Sequence, residues 1–151
     1  MIFTKLNIRT LLSNQLAQMV EIENNCGLPP YSAEILKECI ENLDTYAFLE
    51  NGNVIGYITI NSQSKYLGGS LYIANLNVSK DHQRKGIGEK LIRRACECYR
   101  QTHKDKLVSL DVEKTNIPAF QLYRKLGFLV SDIPSRNGDT DVIMFRSMND
   151  I

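Results

Sequence analysis

At 151 residues the chain is long enough for one well-filled core and short for two, so a single domain over residues 1–151 is expected. Lys and Arg number 18 against 17 Asp and Glu, which leaves no net field to draw nucleic acid or an anionic membrane. No basic segment leads into an apolar stretch near the start, and no window approaches the roughly 20 apolar residues of a bilayer crossing, so the expectation is a cytoplasmic protein whose function lies in a local site.

Ile2 to Thr10 reads as a first strand by its alternation. Ser13 is a candidate cap for a helix carrying Leu12, Leu16, Met19 and Val20 at three- and four-residue intervals, and Gly27-Leu28-Pro29-Pro30 stops it. Ser32 caps a second helix with Ile35, Leu36, Cys39, Ile40 and Leu43 on one stripe. Thr45 to Glu50 and Val54 to Asn61 are β-rich runs around Asn51-Gly52, a pair suited to the positive φ angles of a tight hairpin turn. Gln63 to Gly69 is a polar loop, and Ser70 to Val78 is the next strand.

That strand leads into Gln83-Arg84-Lys85-Gly86-Ile87-Gly88, followed by a helix predicted to reach about His103 with Ile87, Leu91, Ala95, Cys98 and Tyr99 inward. A helix N-terminus presents unpaired N–H groups and about half a positive charge, so a tight turn feeding it is an anion site. Gly86 and Gly88 let phosphate oxygens approach the main chain, and Arg84 and Lys85 add cations. A Walker loop is excluded because Gly88 is followed by Glu89-Lys90-Leu91 rather than Lys-Ser/Thr. A dinucleotide fingerprint would put a small residue at Leu91, within an N-terminal βαβ unit.

Beyond the helix, Leu107 to Val112 is a strand with Val108, Leu110 and Val112 on one face and Ser109, Asp111 and Glu113 on the other. Asn116 or Thr115 caps a short helix, with Pro118 in its first turn and Gly127 ending it. Phe128 to Asp132 and Val142 to Arg146 form a final antiparallel pair across the loop Pro134 to Asp141. The four cysteines make no Cys-x-x-Cys pair. Cys98 falls on the face of Ile87 and Leu91 while Cys96 points away, so no shared metal is expected. His82 and His103 are expected as exposed polar residues.

The loop Gln83 to Gly88, between a strand and a helix, resembles the acyl-CoA pyrophosphate loop of the GCN5-related N-acetyltransferase (GNAT) superfamily. Asn116-Ile117-Pro118-Ala119-Phe120-Gln121-Leu122-Tyr123-Arg124-Lys125-Leu126-Gly127-Phe128 resembles a second signature of that superfamily, with Asn, Ala, Tyr and Gly-Phe at matching spacing. The general layout is similar to the ribosomal-protein alanine N-acetyltransferases. The Gly27-Leu28-Pro29-Pro30-Tyr31 loop departs from the Pro-Trp-Ser pattern of that subgroup, which puts a ribosomal-protein substrate in question.

The resemblance implies an α/β (α+β) GNAT fold, a mixed sheet of six to seven strands splayed between the fourth and fifth and flanked by about four helices. It implies acetyl-CoA as cofactor, held by main-chain bonds at Leu76 and Val78, by Gln83, Arg84, Lys85, Gly86, Ile87 and Gly88 around the pyrophosphate, and by Asn116 and Tyr123. Tyr123 would protonate or hydrogen-bond the leaving thiolate; since it shares its helix face with Ala119, Leu122 and Leu126, a core tyrosine with a satisfied hydroxyl is the plain alternative. Asp111 matches the position of a family glutamate that serves as base, and Glu113 lies on the same strand face. A solvated carboxylate is the plain alternative for both.

The acceptor would be a primary amine of a peptide, protein or small molecule, lined by Leu28, Pro30 and Tyr31, by Tyr66, and by residues near Arg136 to Asp141. The protein would work as a monomer or homodimer, without nucleic acid or membrane. A non-catalytic acyl-CoA binding module is the alternative.

Overall fold

In a computed structural model describing residues 1–27 and 29–151, the apolar periodicities resolve into seven strands and four α-helices among the described residues. In chain order these are β1 (Ile2–Lys5), α1 (Ser13–Cys26), α2 (Ala33–Asn42), β2 (Asp44–Glu50), β3 (Asn53–Asn61), β4 (Leu71–Val78), α3 (Ile87–Glu97), β5 (Leu107–Glu113), α4 (Ile117–Lys125), β6 (Leu129–Pro134) and β7 (Asp141–Ser147). The strands form one mixed sheet in the order β1-β2-β3-β4-β5-β7-β6. Its parallel step, β4 to β5, registers Leu71 with Val108 and Tyr72 with Ser109. The chain divides into two compact units, Met1–Ile60 with Asn75–Ala95, and Asn61–Ala74 with Cys96–Ile151.

In the first unit β1, β2 and β3 form an antiparallel meander, with Thr4 opposite Ala47 and Ala47 opposite Tyr57. The β2–β3 turn is the expected Asn51-Gly52, both residues at positive φ (52° and 79°), which matches the twist of the flanking strands. Met19 and Ile22 of α1 and Leu36 and Ile40 of α2 bury with Ala47, Val54 and Tyr57. Each such aliphatic side chain contributes about 1.5–3 kcal/mol on leaving water.

Three expectations are corrected here. The first strand stops at Lys5 rather than Thr10 because Asn7 starts a turn: its Oδ1 accepts the Arg9 N–H at 2.9 Å, and its carbonyl accepts from Thr10 and Leu11. The cap position of α1 is Leu12, not Ser13, and Gln15 Oε1 reaches back to the Leu12 N–H at 3.1 Å. Ser32 caps α2 as expected, accepting from Ile35 N–H at 3.2 Å, but the Ile35 side chain is exposed.

Helix α3 ends at Glu97 rather than near His103, and the chain continues through turns. Its buried stripe is Ile87, Leu91, Ile92, Ala95 and Cys96, so Cys96 is buried and Cys98 exposed, the reverse of the angular expectation. The core direction is rotated toward Ile92, and Cys98 lies past the last helical residue, where 100° per residue no longer applies. Burial pushes the Cys96 thiol up to about 12.

In the second unit β7 inserts between β5 and β6, pairing Met144 with both Leu110 and Val130. β5 alternates as expected, except that its centre is covered on both faces, with Ser109 as buried as Val108 and Leu110. Asn116 caps α4, its Oδ1 accepting the Ala119 N–H at 3.4 Å. Gly127 follows at φ 87°, the left-handed conformation that favours glycine at a helix exit. No helix among the described residues is long and apolar enough to cross a membrane.

Candidate functional site

The glycine-rich loop is tied to the strand before it by a side chain. Gln83 Nε2 donates to the Val78 carbonyl at 3.1 Å and to Cys26 Sγ at 3.3 Å, and the Cys26 thiol also donates to that carbonyl at 3.5 Å. The loop turns through Arg84 (φ 63°) and Gly86 (φ 78°), and a Cβ on Gly86 would meet nothing within 4 Å, so the space over it is open. Arg84 and Lys85 are exposed, while the Ile87 and Gly88 side of the turn is buried. The first N–H groups of α3 have no acceptor within the helix, which leaves them to an incoming anion.

A residue missed in the sequence sets where that helix begins. Gly56 of β3 lies under α3, where a Cβ would meet Leu91 Cδ1 at 3.2 Å, the Asn77 carbonyl at 3.3 Å and Ile87 Cγ2 at 3.4 Å. Its missing side chain lets Ile87 and Leu91 settle onto the strand. An isolated glycine inside a strand pattern was the available signal.

Glu23 was also missed. It is fully buried on α1 and accepts four hydrogen bonds: from the Tyr57 hydroxyl, from Asn75 Nδ2 at 2.9 Å, from Asn77 Nδ2 at 2.7 Å and from the Tyr31 N–H at 2.8 Å. Burial, then the Glu23 charge, pushes the Tyr57 hydroxyl well above the usual phenol range. The network holds the Asn75 to Asn77 stretch of β4, with Leu76 between, and fixes the chain at Tyr31. A carboxylate in the Met19 and Ile22 stripe, with Asn-x-Asn on a strand, was the signal.

In the second unit, Asp111 collects three hydroxyls. Tyr66 and Ser135 donate to Oδ1, at 3.2 and 2.5 Å, and Tyr72 donates to Oδ2 at 2.5 Å. Burial first, then the bond to Asp111, raises the Tyr72 hydroxyl. The Tyr66 and Tyr72 rings meet edge to face, and the Arg136 guanidinium lies over both, 3.9 Å from the Tyr66 centroid and 5.3 Å from that of Tyr72. Glu113 stands apart from this group and accepts from the Thr115 hydroxyl at 3.1 Å.

Tyr123 is 7% exposed on α4, with its ring 5.7 Å from that of Phe128. Burial alone raises its hydroxyl, and no hydrogen bond to that hydroxyl is present among the described residues. The other expected positions fall as follows. Asn116 is engaged as the α4 cap, Tyr31 packs on the core of the first unit, Pro30 is exposed, and Leu28 lies outside the described residues. Asp141 accepts from Asn137 Nδ2 and from the Thr140 hydroxyl, while Asp139 is exposed. His82 is half-buried, with Nδ1 enclosed and unpartnered among the described residues, rather than fully exposed.

The family model described as the acetyltransferase (GNAT) family matches residues 15–128, three quarters of the chain and both signatures. The chain belongs to the GNAT acetyltransferase family. Membership makes it an acyltransferase that takes an acetyl group from acetyl-CoA to an amine. The N-terminal acetyltransferase A complex catalytic subunit NAA10 of Arabidopsis thaliana is 29% identical over 57% of this chain and 45% of its own length, so the chain spans less than half of that relative. Two GNAT-type structures share the fold. The ribosomal-protein alanine N-acetyltransferase from Escherichia coli has a TM-score of 0.72 at 20% identity, covering 97% of this chain and 94% of its own. PaiA N-acetyltransferase from Thermoplasma acidophilum, solved with coenzyme A, has a TM-score of 0.75 at 19% identity, covering 97% and 98%.

Proposed function

We propose that this GNAT enzyme transfers acetyl from acetyl-CoA directly to a primary amine, with Tyr123 as the proton donor to the leaving thiolate. The observation that carries the assignment is a tyrosine whose ring is packed away while its hydroxyl makes no hydrogen bond among the described residues, with burial of the side chain raising that hydroxyl. Such a phenol keeps its proton at neutral pH and has it available to give. By resemblance to the family this tyrosine would aim at the thioester sulfur, where bond breaking generates the charge it meets.

For the cofactor we assign the pyrophosphate to the main chain of Gln83 to Gly88, with Arg84 and Lys85 beside it. Gln83 holds the loop against Val78 and Cys26, so its side chain serves the shape of the loop rather than the phosphates. Leu76 and Val78 offer the strand backbone to the pantetheine arm and Asn116 lies along it. An N–H of this strand is suited to the oxygen that gains charge as the amine attacks the thioester carbonyl.

The amine reacts only when neutral. A lysine-type amine costs roughly 4 to 5 kcal/mol to deprotonate at pH 7, and an α-amine about 1 to 1.5. We assign its proton to Asp111, taken through one of the three hydroxyls already bonded to that carboxylate, with Glu113 as the other carboxylate on the face. Tyr66 and Tyr31 are assigned to acceptor binding. The balanced charge supports an enzyme without a nucleic-acid or anionic-membrane partner, and we assign it as a cytoplasmic monomer or homodimer. A thiol-release assay with acetyl-CoA across peptides, polyamines and amino sugars tests the reading. Turnover on at least one class is expected, whereas tight acetyl-CoA binding with no turnover on any amine would leave only a binding module.

A further inference from the structure

We propose that Glu23 is a positioning residue for the cofactor strand: its buried carboxylate fixes Asn75 and Asn77, so that the peptide groups around Leu76 are presented to the pantetheine arm of acetyl-CoA. The proposal rests on the assignment of Leu76 to that arm above, and adds the group that holds it in place.

Glu23 carries a charge without a counter-charge. It is fully buried beside Met19 and Ile22 of α1, and no Lys, Arg or His pairs with it among the described residues. A carboxylate taken out of water without a cation is costly, and an apolar side chain would extend the same stripe without that cost. What the carboxylate alone supplies is direction. Three donors converge on its Oε2: the Tyr57 hydroxyl, Asn75 Nδ2 at 2.9 Å and Asn77 Nδ2 at 2.7 Å. The Asn77 amide also donates to Asn75 Oδ1 at 3.1 Å, which braces the two asparagines against each other.

Both amides belong to the half of β4 that β5 does not pair. Among the described residues the β4–β5 register covers Leu71 and Tyr72 only, and β4 passes from buried at Leu71 to Ile73 to half-buried from Ala74 to Val78. Asn75 and Asn77 share one strand face, so bonds from both to a single oxygen fix the pleat between them and, with it, the peptide groups on either side of Leu76. The Val78 carbonyl is already taken by Gln83 Nε2 at 3.1 Å and the Cys26 thiol at 3.5 Å. Leu76 is thus the one of the two assigned strand positions whose main chain no side chain occupies among the described residues, and it is the one that the carboxylate frames. Because Gln83 holds the glycine-rich loop through Cys26 and Val78, the pyrophosphate end and the pantetheine end are positioned by different contacts.

Calorimetry with two ligands reads this separation: acetyl-CoA, and 3′-phospho-ADP, the half of coenzyme A that ends at the pyrophosphate. Asn77→Asp sets a second carboxylate against Glu23 while keeping the shape of the side chain. It is expected to weaken acetyl-CoA about tenfold and to leave 3′-phospho-ADP within about twofold of the parent chain. Adding Glu23→Gln puts a donor opposite the new acceptor, and the double variant is expected to recover acetyl-CoA affinity to within about threefold of the parent. Asn75→Ala removes one amide and adds no charge. It is expected to weaken acetyl-CoA about threefold, again sparing 3′-phospho-ADP, and covers the case in which Asn77→Asp does not fold.

Acetyl-CoA affinity that stays within a factor of about two in the folded variants overturns the positioning role, as does parallel loss of both ligands or absence of rescue in the double variant. A parent chain that binds acetyl-CoA no more tightly than 3′-phospho-ADP instead removes the Leu76 assignment on which the role rests.

Discussion

The Tyr72 hydroxyl donates a 2.5 Å hydrogen bond to Asp111 Oδ2, so the carboxylate assigned to the amine's proton is oriented by a phenol that is itself held protonated. With Tyr66 and Ser135 on the other oxygen, Asp111 has little rotational freedom left. Asp111→Asn is expected to lower kcat/KM by about 100-fold or more and to remove the acidic limb of its pH profile. A variant whose acidic limb is unchanged would take the base role away from Asp111, and the same profile on Glu113→Gln then decides the second carboxylate.

Tyr123→Phe is expected to reduce kcat by about 100-fold while the KM for acetyl-CoA stays within a few-fold, since the ring packing against Phe128 is kept and only the proton is lost. Steady-state kinetics on the acceptor found by thiol release gives the split. A kcat unchanged within a factor of about two would mean that Tyr123 is a core tyrosine without a part in the chemistry.

Buried phenols and a buried thiol make stability sensitive to alkali. Tyr57, Tyr72 and Tyr123 are raised above the ordinary tyrosine value, and Cys96 is pushed up to about 12 from 9. Their folded-state values exceed the unfolded ones, so the contribution is complete below the unfolded values. It is lost as pH rises above about 9 to 10, where the unfolded chain releases protons first. Urea midpoints are expected to fall between pH 8 and pH 11, with tyrosinate absorbance appearing only as the chain unfolds. Tyrosinate forming in a chain that keeps its midpoint would contradict the burial argument.

Removing the Glu23 carboxylate takes a hydrogen bond at once from the Tyr57 hydroxyl, two asparagine amides and the Tyr31 N–H, although Tyr57 keeps the Met19 carbonyl at 3.4 Å and Asn77 keeps Asn75 Oδ1 at 3.1 Å. Glu23→Ala is expected to cost about 3–5 kcal/mol, because each unsatisfied buried group costs about 1–3 kcal/mol and some regain water through relaxation. Glu23→Gln, which keeps the shape and one carbonyl oxygen, should cost less. Chemical denaturation orders the two, and an Ala variant within about 1 kcal/mol of the parent would show that the network is dispensable.

Gly56→Val adds three carbons where a Cβ alone already meets Leu91 and Ile87 at 3.2–3.4 Å. The overpacking is expected to cost about 1–3 kcal/mol and, by shifting the start of α3, to weaken acetyl-CoA binding. Calorimetry on the folded variant reports the affinity. Unaltered affinity would show that the loop does not depend on this contact.

The sequence by itself determined the elements whose causes are local. Asn51-Gly52 demanded a tight hairpin turn, and Ser32 and Asn116 capped their helices. Two spaced signatures then pointed to one family. Failures came where a distant partner or the end of an element decided. Cys96 rather than Cys98 is buried because the core lies on the Ile92 side of α3, a direction that helical spacing alone does not supply. The place of β7 between β5 and β6 depends on a pairing across the sheet that no local pattern encodes.

The same division runs through the candidate site. Gln83 to Gly88 and Tyr123 could be proposed from the sequence because the family pattern fixes residue type and spacing along the chain. Tertiary structure alone decided that Glu23 meets Asn75 and Asn77, more than 50 positions away, and that Asp111 gathers hydroxyls from Tyr66, Tyr72 and Ser135 beneath Arg136. Hydrogen bonds and ring contacts are short-range interactions, so their partners are set by where the folded backbone brings side chains together, whatever their separation in sequence.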